Sequence, residues 1–240
     1  MTELDALVVA AHPDDAEISM GGTILRLVDA GKRVGILDVT RGEMGTRGTR
    51  EDRDEEAARA SELLGLAWRG NLEQPDGRVQ VTVEAREALA KELRTLRPEV
   101  VFGHWVDDPH PDHVASARLT REAWYLSGLR RLADVTGGPE ARRPTQLVHF
   151  MSHTPFDPTF VVDVEAVWDR KQAAILAYAK QLERSDDGRH FLYGSDILER
   201  VETKARTYGE RIGRRYGEPI LCPEPASFED PLVRWLAAPR

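Results

Sequence analysis

Residues 4–17 read LDALVVAAHPDDAE, an apolar run that leads directly into a cluster of imidazole and carboxylate side chains. The run at 4–10 is short and rich in branched apolar residues, which predicts a buried strand. Residues 16–30 then have the length and pattern of a helix that ends at Gly31. A buried strand followed by a helix is the repeating unit of a parallel sheet.

The alternation of strands and helices continues along the first part of the chain. Further strands are predicted at residues 34–39, 67–70 and 100–104, and further helices at 51–64 and 84–96. The second part is less regular, with helices predicted near 111–127, 164–181 and 197–215 and strands near 146–151 and 159–162. The pattern predicts an α/β fold, a Rossmann-like, mostly parallel sheet with helices on both faces and a less regular C-terminal part. We expect a single α/β domain over residues 1–240.

The composition excludes several classes of protein. The net charge of −8 argues against an electrostatic nucleic-acid binder, which would carry a basic surface. No stretch approaches the roughly 20 apolar residues that span a bilayer, so no membrane association is expected. Cys222 is the single cysteine, which excludes an intramolecular disulfide and suits a reducing compartment. The N-terminus lacks the basic segment of a secretory signal, so we expect a soluble protein of the cytoplasm.

Two acidic residues and one histidine follow the first predicted strand. Asp14 and Asp15 stand beside His12, where the predicted helix begins. One interpretation is helix capping, because a carboxylate there accepts hydrogen bonds from free backbone N–H groups and complements the helix dipole. The other is chemical, with one carboxylate binding a metal ion while the other holds a proton. This segment alone leaves both interpretations open.

A second cluster, DDPHPDH at residues 107–113, follows the fourth predicted strand. Pro111 suits the first turn of a helix, which places His110 and His113 on one face. The alternative is a polar turn with two exposed histidines. Because ligands bind outside the carboxyl ends of parallel strands, we expect both clusters to meet in one cleft. Imidazoles and carboxylates gathered there suit Zn²⁺ with one coordination position open, and they also suit Fe²⁺.

The two clusters together resemble the PIG-L/LmbE-like family of metal-dependent N-acetylglucosaminyl deacetylases. AHPDDAE near the N-terminus and HPDH about a hundred residues later agree with the family in residue type, order and separation. Within the family, the chain is most similar to the branch that deacetylates N-acetylglucosaminyl-malate in bacillithiol biosynthesis. That finer similarity rests on chain length and on Gly21-Gly22-Thr23, Arg53-Asp54-Glu55-Glu56-Ala57, Tyr178, Gln181 and Ser185.

The resemblance implies roles that spacing alone does not assign. His12, Asp15 and His113 would bind the metal, and Asp14 would be the general base. His110 would assist at the tetrahedral intermediate. The family also implies an assembly, a trimer or a hexamer.

Two further residues match family positions that face the sugar, namely Glu43 and Arg53. Arg53 could pair bidentately with a malate carboxylate. Its alternative is an ordinary i,i+3 partner of Glu56 on a helix surface.

The roles of several other histidines are either undecided or expected to be structural. His104 could line the cleft or be buried and hydrogen-bonded, and His149 and His153 are expected to be structural. A polar loop that includes His190 and Tyr193 could form a lid. Asp112 could orient His110 or His113, or face solvent.

Three rival functions are weighed against the deacetylase. A dinucleotide-binding domain would need G-x-G-x-x-G after the first strand, where this chain has His-Pro-Asp-Asp. A non-catalytic metal protein would leave the extra carboxylate unexplained. The third rival is a deacetylase acting on another N-acetylglucosaminyl conjugate, built on inositol or a chitooligosaccharide. The leading prediction is zinc-dependent hydrolysis of N-acetylglucosaminyl-malate to glucosaminyl-malate and acetate.

Overall fold

The computed structural model describes residues 3–45, 49–178 and 197–224. Seven strands form one sheet in the order β3-β2-β1-β4-β5-β7-β6. The strands are β1 Ala6–Ala10, β2 Val34–Thr40, β3 Trp68–Gln74, β4 Val100–His104, β5 Gln146–Phe150, β6 Phe160–Asp163 and β7 Gly217–Leu221. The helices are α1 Asp15–Asp29, α2 Arg50–Leu64, α3 Val83–Leu96, α4 Pro111–Ser127, α5 Arg130–Thr136, α6 Trp168–Leu176 and α7 Ile197–Glu210. Among the described residues, no helix is both long and apolar enough to cross a membrane.

The five strands β1 to β5 are parallel, as the alternation of elements predicts. β1 lies at the centre and pairs with both β2 and β4, so that Val8 is level with Ile36 and Phe102. Because side chains alternate across a strand, β1 contributes to two cores. Val8 packs into the core on one face of the sheet, whereas Leu7 packs into the core on the other. The predicted Rossmann-like arrangement is confirmed.

The C-terminal part departs from the predicted elements. Strand β7 was not predicted, because its sequence GEPIL contains glycine and proline, which weaken a strand. It lies between β5 and β6 and is antiparallel to both. Helix α5 was also missed. The helix predicted at 164–181 begins as a 3₁₀ turn at Glu165–Val167, before α6, and the helix predicted at 197–215 ends at residue 210.

A break in α1 is stabilised by β7. Met20 has φ −144°, outside the helical range, and the break leaves N–H groups without helical acceptors. Glu218 accepts hydrogen bonds from the N–H groups of Gly22 (2.9 Å) and Thr23 (2.6 Å). The same carboxylate pairs with the buried Lys171 ammonium at 2.6 Å. Strand β7 therefore stabilises helix α1, which begins at Asp15 in the first His/Asp cluster.

Candidate metal and catalytic site

The site lies where the strand order reverses. The chain first adds β2 and β3 on one side of β1. It then crosses over and adds β4 and β5 on the other side of β1. The loops that follow β1 and β4 therefore leave in opposite directions and open a crevice between them. His12 to Asp15 follow β1, and Asp108 to His113 follow β4, so both sequence motifs lie at this crevice.

Asp15 lies between two imidazoles. Its Oδ2 is 3.2 Å from Nδ1 of His12, and its Oδ1 is 3.3 Å from Nε2 of His113. One donor atom from each of the three residues lies within 4.8 Å of the others. Burial raises the pKa of Asp15, but His113, His104 and His12 outweigh it and hold this pKa well below the usual range. Two imidazoles and an ionised carboxylate suit a divalent cation with one position open.

In each of the two imidazoles, the nitrogen that does not face Asp15 lies near another carboxylate. Nδ1 of His113 lies 3.0 Å from Oδ1 of Asp108. Nε2 of His12 lies 3.3 Å from Oδ2 of Asp112 and 3.1 Å from Oδ1 of Asp76. Carboxylates in such positions fix the tautomer and orientation of metal-binding histidines. The carboxylate of Asp112 thus faces His12, so the predicted alternatives of orienting His110 or His113, or of facing solvent, are wrong.

Asp14 has the backbone of a strained residue. It precedes α1 with φ 110°, and its side chain makes no capping hydrogen bond in the described structure, so the capping interpretation is wrong for Asp14. A non-glycine residue in the left-handed region costs about 1–3 kcal/mol and is common at functional sites. Burial, and then the charge of Asp15, raises the pKa of Asp14 to about 7. A carboxyl group with that pKa can exchange a proton at neutral pH.

His110 caps helix α4 through its side chain. Its Nδ1 accepts a hydrogen bond from the N–H of Asp112 at 3.2 Å, so the neutral ring carries its proton on Nε2. Burial, followed by the positive charges of His113 and His12, lowers the pKa of His110. The ring therefore enters the site as a neutral hydrogen-bond donor. It stacks on His113, with 4.7 Å between ring centroids.

A pocket of about 310 Å³ opens beside these residues. It is lined by His12, Asp14, Gly42, Met44, Gly45, Arg53, Asp76, Gly77 and His110. Arg53 is buried, with Nη1 at 3.9 Å from Oδ2 of Asp14, so its interpretation as a helix-surface residue is wrong. A Cβ at position 42 would lie 3.3 Å from Cζ of Arg53, so any side chain there would crowd the guanidinium. Glycine allows the backbone of this loop to pass close to Arg53.

The pocket rim joins two loops through reciprocal hydrogen bonds. Oε1 of Glu43 accepts from the N–H of Asp76 at 2.9 Å, and Oδ2 of Asp76 accepts from the N–H of Met44 at 2.8 Å. Glu43 is therefore bonded to the neighbouring loop, and it is not among the described residues that line the pocket. Sequence reasoning missed Asp76, although the loop after β3 also follows the carboxyl end of a strand.

Glu17, the last residue of the first motif, has a structural role. It is fully buried, and its Oε1 accepts from Nη1 of Arg69 at 2.7 Å and from the hydroxyl of Tyr178 at 3.0 Å. The same arginine forms a two-pronged pair with Asp38 at 2.8 and 3.1 Å. This network connects α1 to β2 and β3 directly behind the site.

Comparison with known proteins agrees with this geometry. Residues 7–124 match the family described as PIG-L: GlcNAc-PI de-N-acetylase. A diacetylchitobiose deacetylase of Thermococcus kodakarensis is 30% identical over 230 residues, which cover 89% of this chain and 81% of that protein. The chain belongs to the PIG-L deacetylase family. The relatives described as deacetylases hydrolyse N-acetyl amide bonds, and this chain is an enzyme of their family.

Other PIG-L relatives differ in what they act on. A 1D-myo-inositol 2-acetamido-2-deoxy-alpha-D-glucopyranoside deacetylase of Nocardia farcinica is 29% identical, covering 81% of this chain and 86% of that protein. A 4-oxalmesaconate hydratase of Pseudomonas putida is 28% identical, covering 73% of each chain. A solved structure of a conserved protein from Thermus thermophilus is 42% identical with a TM-score of 0.85, covering 94% of this chain and 97% of that one.

The remaining histidines of this PIG-L protein divide into two groups. His104 is fully buried, and its Nε2 accepts from the N–H of Ala11 at 2.9 Å. His149 contacts the carbonyl of His104 at 2.7 Å, which fits its predicted structural role. His153 instead contacts Asp108 at 3.1 Å, next to the site. Several residues lie outside the described part of the chain: Gln181, Ser185, His190 and Tyr193.

Proposed function

We propose that this protein hydrolyses the N-acetyl group of an N-acetylglucosaminyl conjugate, with Zn²⁺ held by His12, Asp15 and His113. The observation that carries the proposal is the position of Asp14, which lies beside this donor set on a strained backbone (φ 110°) and neither caps α1 nor belongs to the three donors. Neither a helix cap nor a closed structural metal site requires such a group. A catalytic site requires it, because a general base works best when its pKa is near the working pH.

The roles of the side chains follow from their positions. A divalent cation bound at the three donors would polarise the acetyl carbonyl and make a nearby water more acidic. Asp14 takes the proton of the attacking water and delivers it to the departing amine. His110 donates a hydrogen bond from Nε2 toward the carbonyl oxygen as its negative charge develops. Arg53, buried beside Asp14, holds the sugar hydroxyls.

The relatives favour a neutral aglycone. The two relatives named as deacetylases act on a chitobiose and on an inositol conjugate. They therefore support the saccharide and inositol alternatives better than the malate conjugate of bacillithiol biosynthesis.

The experiment is amine release from N,N′-diacetylchitobiose, an N-acetylglucosaminyl-inositol and N-acetylglucosaminyl-malate. Each reaction is run with and without chelator, then with Zn²⁺ or Fe²⁺ added back. We expect chelator-sensitive release restored by Zn²⁺, fastest with a neutral conjugate. Absence of release from all three, together with hydration of an unsaturated dicarboxylate, would reject the proposal and favour the chemistry of the hydratase relative.

A further inference from the structure

Other imidazole rings stack against the ring of His113. His104 lies on one face of the ring at a centroid distance of 4.2 Å, and His153 stacks nearly parallel to it at 5.2 Å, with 17° between the planes. His113 is 2% exposed, so solvent hardly reaches its edges. The chemical behaviour of this ring is therefore set by the two carboxylates at its edges.

The two nitrogens of His113 have different surroundings. Nε2 points into the site, at 3.3 Å from Asp15, whereas Nδ1 points away from it, at 3.0 Å from Asp108. Nδ1 of His113 lies close to Asp108, but the angles of this contact are not those of a hydrogen bond. Nδ1 has no other hydrogen-bond partner within the described structure. Asp108 is thus the acceptor that this buried nitrogen has close by.

Asp108 is itself fixed from two loops. Its Oδ1 accepts from the N–H of His110 at 2.9 Å, and its Oδ2 accepts from the N–H of His153 at 3.1 Å. The side chain of His153 adds a contact at 3.1 Å through Nδ1. Its side chain is 3% exposed, and these hydrogen bonds hold the carboxylate where it faces His113.

The loop that carries His153 is anchored from the C-terminal part of the fold. Nζ of Lys204, on α7, donates to the carbonyl oxygens of Met151 at 2.8 Å and Ser152 at 3.4 Å. Ser152 in turn contacts Nδ1 of His104 at 2.9 Å. The position of Asp108 therefore depends on a helix that carries none of the three metal donors.

We propose that Asp108 is a positioning residue that keeps the proton of His113 on Nδ1 and so leaves Nε2 free to bind the metal, with His153 holding Asp108 in place. The inference rests on the proposed function, since it assumes the metal site at His12, Asp15 and His113. It adds two residues, Asp108 and His153, to the set on which metal affinity depends.

The test is the zinc dissociation constant, measured by competition with a chromophoric chelator. Asp108→Asn should bind zinc about 10–100-fold more weakly than the wild type, the usual effect of losing such a partner. Asp107→Asn is the matched control, because Asp107 is the exposed neighbour in the same loop, and it should bind zinc like the wild type. Equal affinities for all three proteins would overturn the inference while leaving the metal site intact. A wild type that binds no zinc would instead reject the proposed function.

A second measurement does not depend on the folding of a variant. Nitrogen-15 NMR of the histidine rings in the zinc-loaded wild type reports which ring nitrogen carries the proton. We expect the proton of His113 on Nδ1 and the metal on Nε2. A proton on Nε2 of His113 in that protein would overturn the inference.

Discussion

Nε2 of His12 and Oδ2 of Asp112 lie 3.3 Å apart, although 100 positions separate the two residues in the chain. The same Asp112 carboxylate accepts from the N–H groups of Gly77 at 2.6 Å and Val79 at 3.1 Å. Three loops, after β1, β3 and β4, are therefore joined at one carboxylate. The orientation of His12 depends on contacts that neither sequence motif contains by itself.

Asp14→Asn tests the general base. The amide cannot take a proton from water, so we expect turnover to fall about 10²–10⁴-fold. Zinc content should stay near that of the wild type, because Asp14 is not among the three grouped donors. Steady-state amine release and metal analysis on the same preparation check both statements, with Asp107→Asn as the control. Turnover close to that of the wild type would remove Asp14 as the base.

His113→Ala tests the metal site. Loss of one of two imidazole donors should lower the zinc bound per folded chain to well below one equivalent. His149→Ala is the control, since His149 is also buried but contacts a backbone carbonyl outside the donor set. Metal analysis after gel filtration makes the comparison. Full zinc occupancy in His113→Ala would contradict the assignment.

Arg53→Ala tests what the buried guanidinium recognises. A lost charged hydrogen bond costs about 1.5–3 kcal/mol, which corresponds to roughly 10–100-fold in kcat/KM. If Arg53 contacts the sugar, this loss should be equal for chitobiose, inositol and malate conjugates. A loss confined to the malate conjugate would favour recognition of its carboxylate instead. Arg50→Ala, an exposed arginine on the same helix, is the control.

Glu218→Gln tests the buried ion pair that stabilises the break in α1. The change leaves Lys171, which is 1% exposed, without its charged partner. Removing one partner of a buried pair typically costs about 3–5 kcal/mol in the free energy of unfolding. Glu122→Gln, in an exposed pair with Arg86, should cost less than about 1 kcal/mol. Urea denaturation at neutral pH compares them, and equal losses would contradict a structural role for the buried pair.

We expect Lys204 to make the stability of the folded protein depend on pH. Burial, and then the charge of Lys171, lowers its pKa to about 7 against an unfolded value of 10.5; Arg200 lowers it further, whereas Glu218 and Asp108 oppose the shift. The unfolded chain therefore binds more protons between these two values, and stability rises with pH across that range. One group contributes at most about 1.4 kcal/mol per pH unit.

The measurement is urea denaturation of the wild type and Lys204→Met from neutral pH up to the ordinary pKa of lysine, 10.5. The variant has no lysine ammonium to bury, so its free energy of unfolding should rise less steeply with pH than that of the wild type. Parallel curves for the two proteins would contradict a depressed pKa. Below neutral pH, Lys204 carries its proton in both the folded and the unfolded state, so its contribution to the free energy of unfolding should be constant.

The parallel part of the fold was predictable because most of its strands, β1, β2, β4 and β5, are buried along almost their whole length. Strands such as β1 and β2 then consist of nearly continuous apolar residues, bounded by helix signals. β7 has no such signal, since Glu218 and Pro219 interrupt it. It pairs with β5 and β6 and is held to α1 and α6 through Glu218, and no local sequence pattern contains these contacts.

The two motifs of the site were predictable for a similar reason, because they follow neighbouring strands and combine chemically suitable side chains. Asp76 was not predicted, since a lone carboxylate in a polar loop is common, and Asp108 lies inside the second cluster without a role that its spacing could assign. Their importance comes from distances of 3.1 and 3.0 Å to His12 and His113, which only the folded chain creates.

The insertion of β7 between β5 and β6 has a consequence for synthesis on the ribosome. The N–H groups of Gly22 and Thr23 emerge early, whereas their acceptor, Glu218, follows 196 and 195 positions later. Until then, these two N–H groups at the kink of the first helix lack their acceptor. We therefore expect a nascent chain that stops short of β7 to hold the first His/Asp cluster less firmly than the finished chain does.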